Sequence, residues 1–135
     1  MRFDLDHLGV VVASLAEAVP LYCRLLGVPA DAVEYHDVPS EGVKVAMLRG
    51  NTVIELLEPT EPDGALARFL EKRGGGFHHW CFAAPPPLQA RLDELKAAGF
   101  RLLDEQPRVG AEGSVFFVHP ASAGGILTEF VEKDN

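Results

Sequence analysis

The chain has little cysteine, little positive charge and no long apolar run, and each shortage closes a class of function. Two of its 135 residues are cysteines, Cys23 and Cys81. That is too few for the disulfide framework of a small secreted domain, so a reducing cytoplasm is the expected location. Lysine and arginine number 12 against 20 aspartates and glutamates, a net charge of −8. A surface of that sign repels phosphate backbones, and nucleic acid is not an expected partner. An anionic substrate then needs a local positive centre, such as a metal ion. No apolar run approaches the length that spans a bilayer, and the residues after Met1, Arg-Phe-Asp-Leu-Asp, carry no export-signal pattern, so neither membrane nor secretion is expected. What is there is a globular composition, 47% hydrophobic and 24% charged, in a length that buries one core.

The order of patterns along the chain occurs twice. Phe3 to Val12 reads as a strand. Ser14-Leu15-Ala16-Glu17 then reads as a capping box ahead of a helix with Leu15, Val19, Tyr22 and Leu26 at helical spacing. Gly27 ends it, and Pro20 sits inside it as a kink or a displaced start. Three strands are expected next, at Ala32 to His36, Val43 to Leu48 and Thr52 to Leu57, the last two joined by a turn at Gly50-Asn51. The second round has a strand at Phe77 to Ala83, then a helix after Pro85-Pro86-Pro87 carrying Leu88, Leu92 and Leu95 and ended by Gly99. Strands follow near Arg101 to Leu103, Ser114 to His119 and Ile126 to Glu132. The expected organisation is α+β, a single domain of two tandem βαβββ repeats. The first covers 1–57 and the second 76–135, with a linker at 58–75 that holds a short helix (Leu66, Phe69, Leu70) and closes in Gly74-Gly75-Gly76. Each half exposes an apolar sheet face that it cannot bury alone.

Chemistry-bearing residues recur at matched places. His7 lies in the first strand of one half and Glu55 in its last; His79 and Glu129 occupy the same places in the other. The two His are 72 apart and the two Glu 74, and the His-to-Glu separations are 48 and 50. Residues two apart in a strand share a face, so Glu55 shares its face with Val53 and Leu57, and Glu129 with Leu127 and Val131. A carboxylate in such a run is costly to bury unless it is paired or bound to a cation. Imidazole nitrogen and carboxylate oxygen suit borderline divalent metals such as Co, Ni, Zn or Mn. His7, Glu55, His79 and Glu129 are therefore expected to bind one metal ion. Cys81 shares the face of His79 and is read as a small core residue; His36, His78 and His119 are read as structural or surface residues.

These residues resemble the vicinal oxygen chelate (glyoxalase-like) superfamily, which includes glyoxalase I, extradiol dioxygenases and acyl-CoA epimerases. The likeness runs from Asp6-His7-Leu8-Gly9 to Glu132. It is most specific at Gly42-Val43-Lys44-Val45-Ala46-Met47-Leu48, at Asn51 through Pro59, at Gly76-Phe77-His78-His79, and at Phe117-Val118-His119-Pro120 continuing through Gly124-Gly125 to Glu129. Glyoxalase I usually carries an Asp-Pro-Asp-Gly turn in that last segment; here His119-Pro120 is followed by Gly124-Gly125, which is more similar to the methylmalonyl-CoA epimerase branch. The resemblance implies an open, U-shaped, eight-stranded mixed sheet around the metal, commonly as a homodimer, with His7, His79, Glu129 and Glu55 as ligands. It implies cobalt as the first choice of metal, with zinc, nickel or manganese as alternatives. It also implies an acyl-CoA substrate whose (2R) and (2S) epimers interconvert through an enolate, with Glu129 and Glu55 as proton carriers. One departure stands out: some such epimerases have a catalytic Glu where this chain has Val45, and Gln where it has Glu55. A glyoxalase I-type lyase, an iron dioxygenase and a non-catalytic binding module are the competing readings.

Overall fold

Strand β1 (Leu5–Val11) buries alternate residues, His7, Gly9 and Val11, as the two-residue period of a strand requires. The computed structural model describes residues 2–134. Two compact units partition the chain: Leu8–His78 form one, and the residues up to His7 together with those from His79 onward form the other.

In the Leu8–His78 unit, α1 (Leu15–Leu26) leads to β2 (Glu34–Val38), β3 (Val43–Arg49) and β4 (Val53–Pro59), which pair antiparallel in that order. Helix α1 passes through Pro20 and stops at Gly27, whose φ of 73° is the left-handed conformation that glycine adopts without a Cβ clash. Ser14 stands at the N-cap position, but its hydroxyl makes no capping bond; the Leu15 N–H donates instead to Glu58 Oε1 at 2.8 Å. The expected Ser14 capping bond does not form, and a strand carboxylate takes the first N–H of the helix. β3 is buried on both faces. Ala46 and Leu48 pack with Leu56 under Val19 and Cys23 of α1, while Val43, Val45 and Met47 pack with Leu57 under Leu66, Phe69 and Leu70 of α2 (Ala65–Arg73). β2 begins two residues later than its expected start because Ala30–Ala32 form a 3-10 turn behind Pro29. The Gly74–Gly76 segment is tightly fitted: a Cβ on Gly75 would lie 2.8 Å from the Val11 carbonyl oxygen.

In the other unit, β5 (Gly76–Ala84) from His79 onward runs parallel to β8 (Leu127–Glu132), which pairs antiparallel with β7 (Gly113–Val118), itself antiparallel to β6 (Arg108–Gly110). Helix α3 (Leu88–Ala97) covers one face, setting Leu88 and Leu92 against Phe116, Val118 and Phe130. Its first N–H, from Leu88, donates to Glu132 Oε2 at 2.8 Å. The expected strand at Arg101 to Leu103 is not one. Leu102 makes a single bridge to Val118, and the ladder ends where the Asp104 carboxylate takes the Phe117 N–H at 2.8 Å. A side chain has replaced the backbone acceptor, and the edge strand forms four residues beyond Asp104, at Arg108. Hydrogen bonding orders the strands β2-β3-β4-β1-β5-β8-β7-β6, an eight-stranded mixed sheet of an α+β fold, and the order βαβββ occurs twice along the chain. No helix among the described residues is long and apolar enough to cross a membrane.

Candidate metal centre

Parity places three side chains on the face of β5 and β8 that α3 does not cover. In the parallel register Cys81 stands opposite Glu129 and His79 opposite Leu127, so His79, Cys81 and Glu129 share that face with Val131 and Phe117. His7 joins them from the start of β1. His7 and His79 are each 6% exposed and Glu129 8%.

The donor atoms converge. His7 Nε2 lies 3.1 Å from Glu129 Oε1 and 3.3 Å from His79 Nε2, and His79 Nε2 lies 3.1 Å from the same Oε1. Ligands held at about 2.0–2.1 Å from a common cation, at angles between octahedral and tetrahedral, stand roughly 2.9–3.4 Å apart. The chemistry of the set agrees with its spacing. Asp6 Oδ2 lies 2.8 Å from His7 Nδ1, and an ionised carboxylate only accepts, so Nδ1 carries the proton. The Nε2 of the neutral ring then turns a lone pair toward Oε1. Acceptors facing one another in a buried site are relieved by a cation, and His7, His79 and Glu129 fit one.

Electrostatics keep the carboxylate anionic. Burial pushes Glu129 up, but the two imidazoles of His7 and His79 against it outweigh that and hold the carboxyl at about 2. Burial also opposes ionisation of Asp6, yet its bonds to His7 and Lys133 bring it below the usual carboxylate value. Cys81 is fully buried beside Asp6 and His7, and burial pushes its thiol up to about 12, so it packs as a neutral thiol. The Phe117 ring meets His79 edge-on at 5.9 Å and itself lies under the Arg108 guanidinium at 5.4 Å.

Of the four expected ligands, the structure brings three together in one unit. Glu55 stands in β4 of the other, half-buried, opposite Met47 and on the face of Val53 and Leu57. Val45, opposite Leu57, shares that face, as do Glu34, opposite Met47, and its ion-pair partner Arg49. His119 is structural: its Nδ1 accepts the Ala121 N–H at 3.0 Å and caps a 3-10 turn. His78 packs edge-on against Phe69 at 4.9 Å. Sequence reasoning missed Asp6 and Lys133, which support His7, and the capping pair Glu58 and Glu132. The caps carried a readable signal: each lies three residues after Glu55 or Glu129.

The chain belongs to the glyoxalase/bleomycin resistance protein/dioxygenase superfamily, whose model matches residues 6–118. Within it, the chain is 40% identical over 129 residues to ethylmalonyl-CoA/methylmalonyl-CoA epimerase of Cereibacter sphaeroides, covering 93% of this chain and 94% of that protein. It is 38% identical over 128 residues to human mitochondrial methylmalonyl-CoA epimerase, covering 93% of this chain and 71% of the human protein. Among solved structures, a Streptomyces coelicolor methylmalonyl-CoA epimerase variant in complex with 2-nitronate-propionyl-CoA superposes with a TM-score of 0.88 at 30% identity, with all of both chains covered.

Proposed function

We propose that this protein is a metal-dependent epimerase that interconverts (2R)- and (2S)-methylmalonyl-CoA by proton transfer at C2. The observation that carries the reading is the convergence of His7 Nε2, His79 Nε2 and Glu129 Oε1 within 3.1–3.3 Å in a chain akin to enzymes of that activity. When bound, a divalent cation supplies Lewis-acid stabilisation of the enolate oxygen formed as the α-proton leaves. Cobalt is the assigned metal, as the branch resemblance suggests.

The chain's own groups do the rest. His7 and His79 hold the cation through Nε2, and the anionic Glu129 both binds it and carries a proton on one face of C2. Inversion needs a second carrier on the other face. In this reading Glu55 is the second carrier and fourth ligand, supported by its position in β4, which matches that of Glu129 in β8, and by the aliphatic side chain at Val45. Burial of the site excludes bulk water from competing for the carbanion. The reading includes a homodimer in the cytoplasm; both cysteines being free and buried fits a reducing compartment.

The decisive experiment follows exchange of the C2 proton of methylmalonyl-CoA in heavy water with and without a chelator. Exchange should disappear with chelator and return with Co²⁺. Absence of metal-dependent exchange overturns the reading, and turnover of the methylglyoxal–glutathione adduct in its place would point to a glyoxalase-type isomerase.

A further inference from the structure

A histidine ligand works only if the correct ring nitrogen is bare. Neutral imidazole in water prefers its proton on Nε2, which would aim an N–H rather than a lone pair at the cation. Something must hold the ring of His7 in the other tautomer. The carboxylate of Asp6 is suited to do so. Its Oδ2 lies 2.8 Å from His7 Nδ1 and its Oδ1 2.7 Å from Lys133 Nζ, so both oxygens are engaged in fixed directions. Lys133 reaches Glu112 at 3.4 Å as well, and its backbone N–H is tied to the Ala84 carbonyl at 3.0 Å. Lys133 lies four residues after Glu129. β8 (Leu127–Glu132) thus carries the proposed ligand Glu129, and the residue just after its end carries the clamp.

We infer that Asp6, clamped by Lys133, is a positioning residue that sets the His7 tautomer and so presents Nε2 to the metal. The inference rests on the metal reading above, and nothing in it requires Asp6 to touch substrate. It makes an unusual demand on the isosteric variant Asp6→Asn. Lys133 can only donate, so it would capture the amide oxygen and turn the amide N–H₂ toward His7 Nδ1. The ring would then carry its proton on Nε2. Removing the clamp as well, in Asp6→Asn/Lys133→Met, frees the amide to turn its oxygen back to His7.

The test uses the metal-free full-length protein labelled with ¹⁵N-histidine, read by long-range ¹H–¹⁵N correlation, together with Co²⁺ titration of each variant. Wild type should hold His7 as the Nδ1–H tautomer. Asp6→Asn should convert it to Nε2–H and weaken Co²⁺ binding about 10–100-fold, the range found for lost partners of ligand histidines. The double variant should regain Nδ1–H and part of the affinity. A role in folding alone predicts none of this pattern, because the single substitution preserves size and shape. Wild-type His7 with its proton on Nε2, or Asp6→Asn with Co²⁺ affinity within twofold of wild type, overturns the inference. Wild type that binds no Co²⁺ at all overturns the metal reading instead, while the tautomer measurement still decides the role of Asp6.

Discussion

The two halves of the chain place a glutamate at the same point of their last strand and surround it differently. Glu129 is 8% exposed with two imidazole nitrogens 3.1 Å away. Glu55 is half-buried on a face it shares with Val45, Met47, Val53 and Leu57 and with the Arg49–Glu34 ion pair. The capping glutamates show no such divergence: Glu58 and Glu132 each accept the first N–H of their helix at 2.8 Å. The framework recurs in both halves while the chemistry does not. Positions that hold helix to strand answer to backbone geometry, which is the same twice, whereas both imidazoles, His7 and His79, gather at Glu129 alone.

Four substitutions probe that contrast, from the largest effect to the smallest. Glu129→Gln keeps the side-chain shape and removes the charge proposed to bind the cation and carry the proton. C2 exchange should fall by about two to four orders of magnitude, measured for both epimers in heavy water; activity near wild type would remove Glu129 from the mechanism. Glu55→Gln should separate two events. Inversion between epimers should drop about 100-fold or more, while exchange at C2 of the one epimer served by Glu129 continues. Equal loss of both would mark Glu55 as a ligand without a proton-carrying role. The caps form the matched control. Glu58→Ala and Glu132→Ala should each cost about 1 kcal/mol, lowering Tm by roughly 3–6 °C in thermal melts. A large difference between them would mean that the two helix starts are not equivalent after all.

How much of this was legible beforehand depended on what kind of atom closed each contact. His7, His79 and Glu129 could be read because strand parity and a matched offset are properties of the backbone, which sequence spacing encodes directly. β6 could not, because the Asp104 carboxylate ends one ladder by accepting the Phe117 N–H, and nothing in Arg101-Leu102-Leu103 announces it. Asp6 was hidden by the same parity that revealed its neighbour: adjacent strand residues point to opposite faces, yet here the Asp6 carboxylate reaches His7 Nδ1. The start of α1 was misread in its chemistry and not its place. Ser14 occupies the cap without a capping bond, and the carboxylate that caps the helix start is that of Glu58, 43 residues on from Leu15.

The capping bonds also say where the chain can change length. Each closes a circuit, from Leu15 to Glu58 across 43 positions and from Leu88 to Glu132 across 44. The second half is two residues longer between its histidine and its glutamate. One of the two lies before the helix starts, since Leu15 follows His7 by eight and Leu88 follows His79 by nine; the other lies inside the circuit. Growth has therefore been absorbed between the pinned points, in connections such as the one that Asp104 redirects. Insertions tolerated by this protein should map to those connections, and a single residue added between Glu55 and Glu58, or between Glu129 and Glu132, should unfasten a helix from its strand.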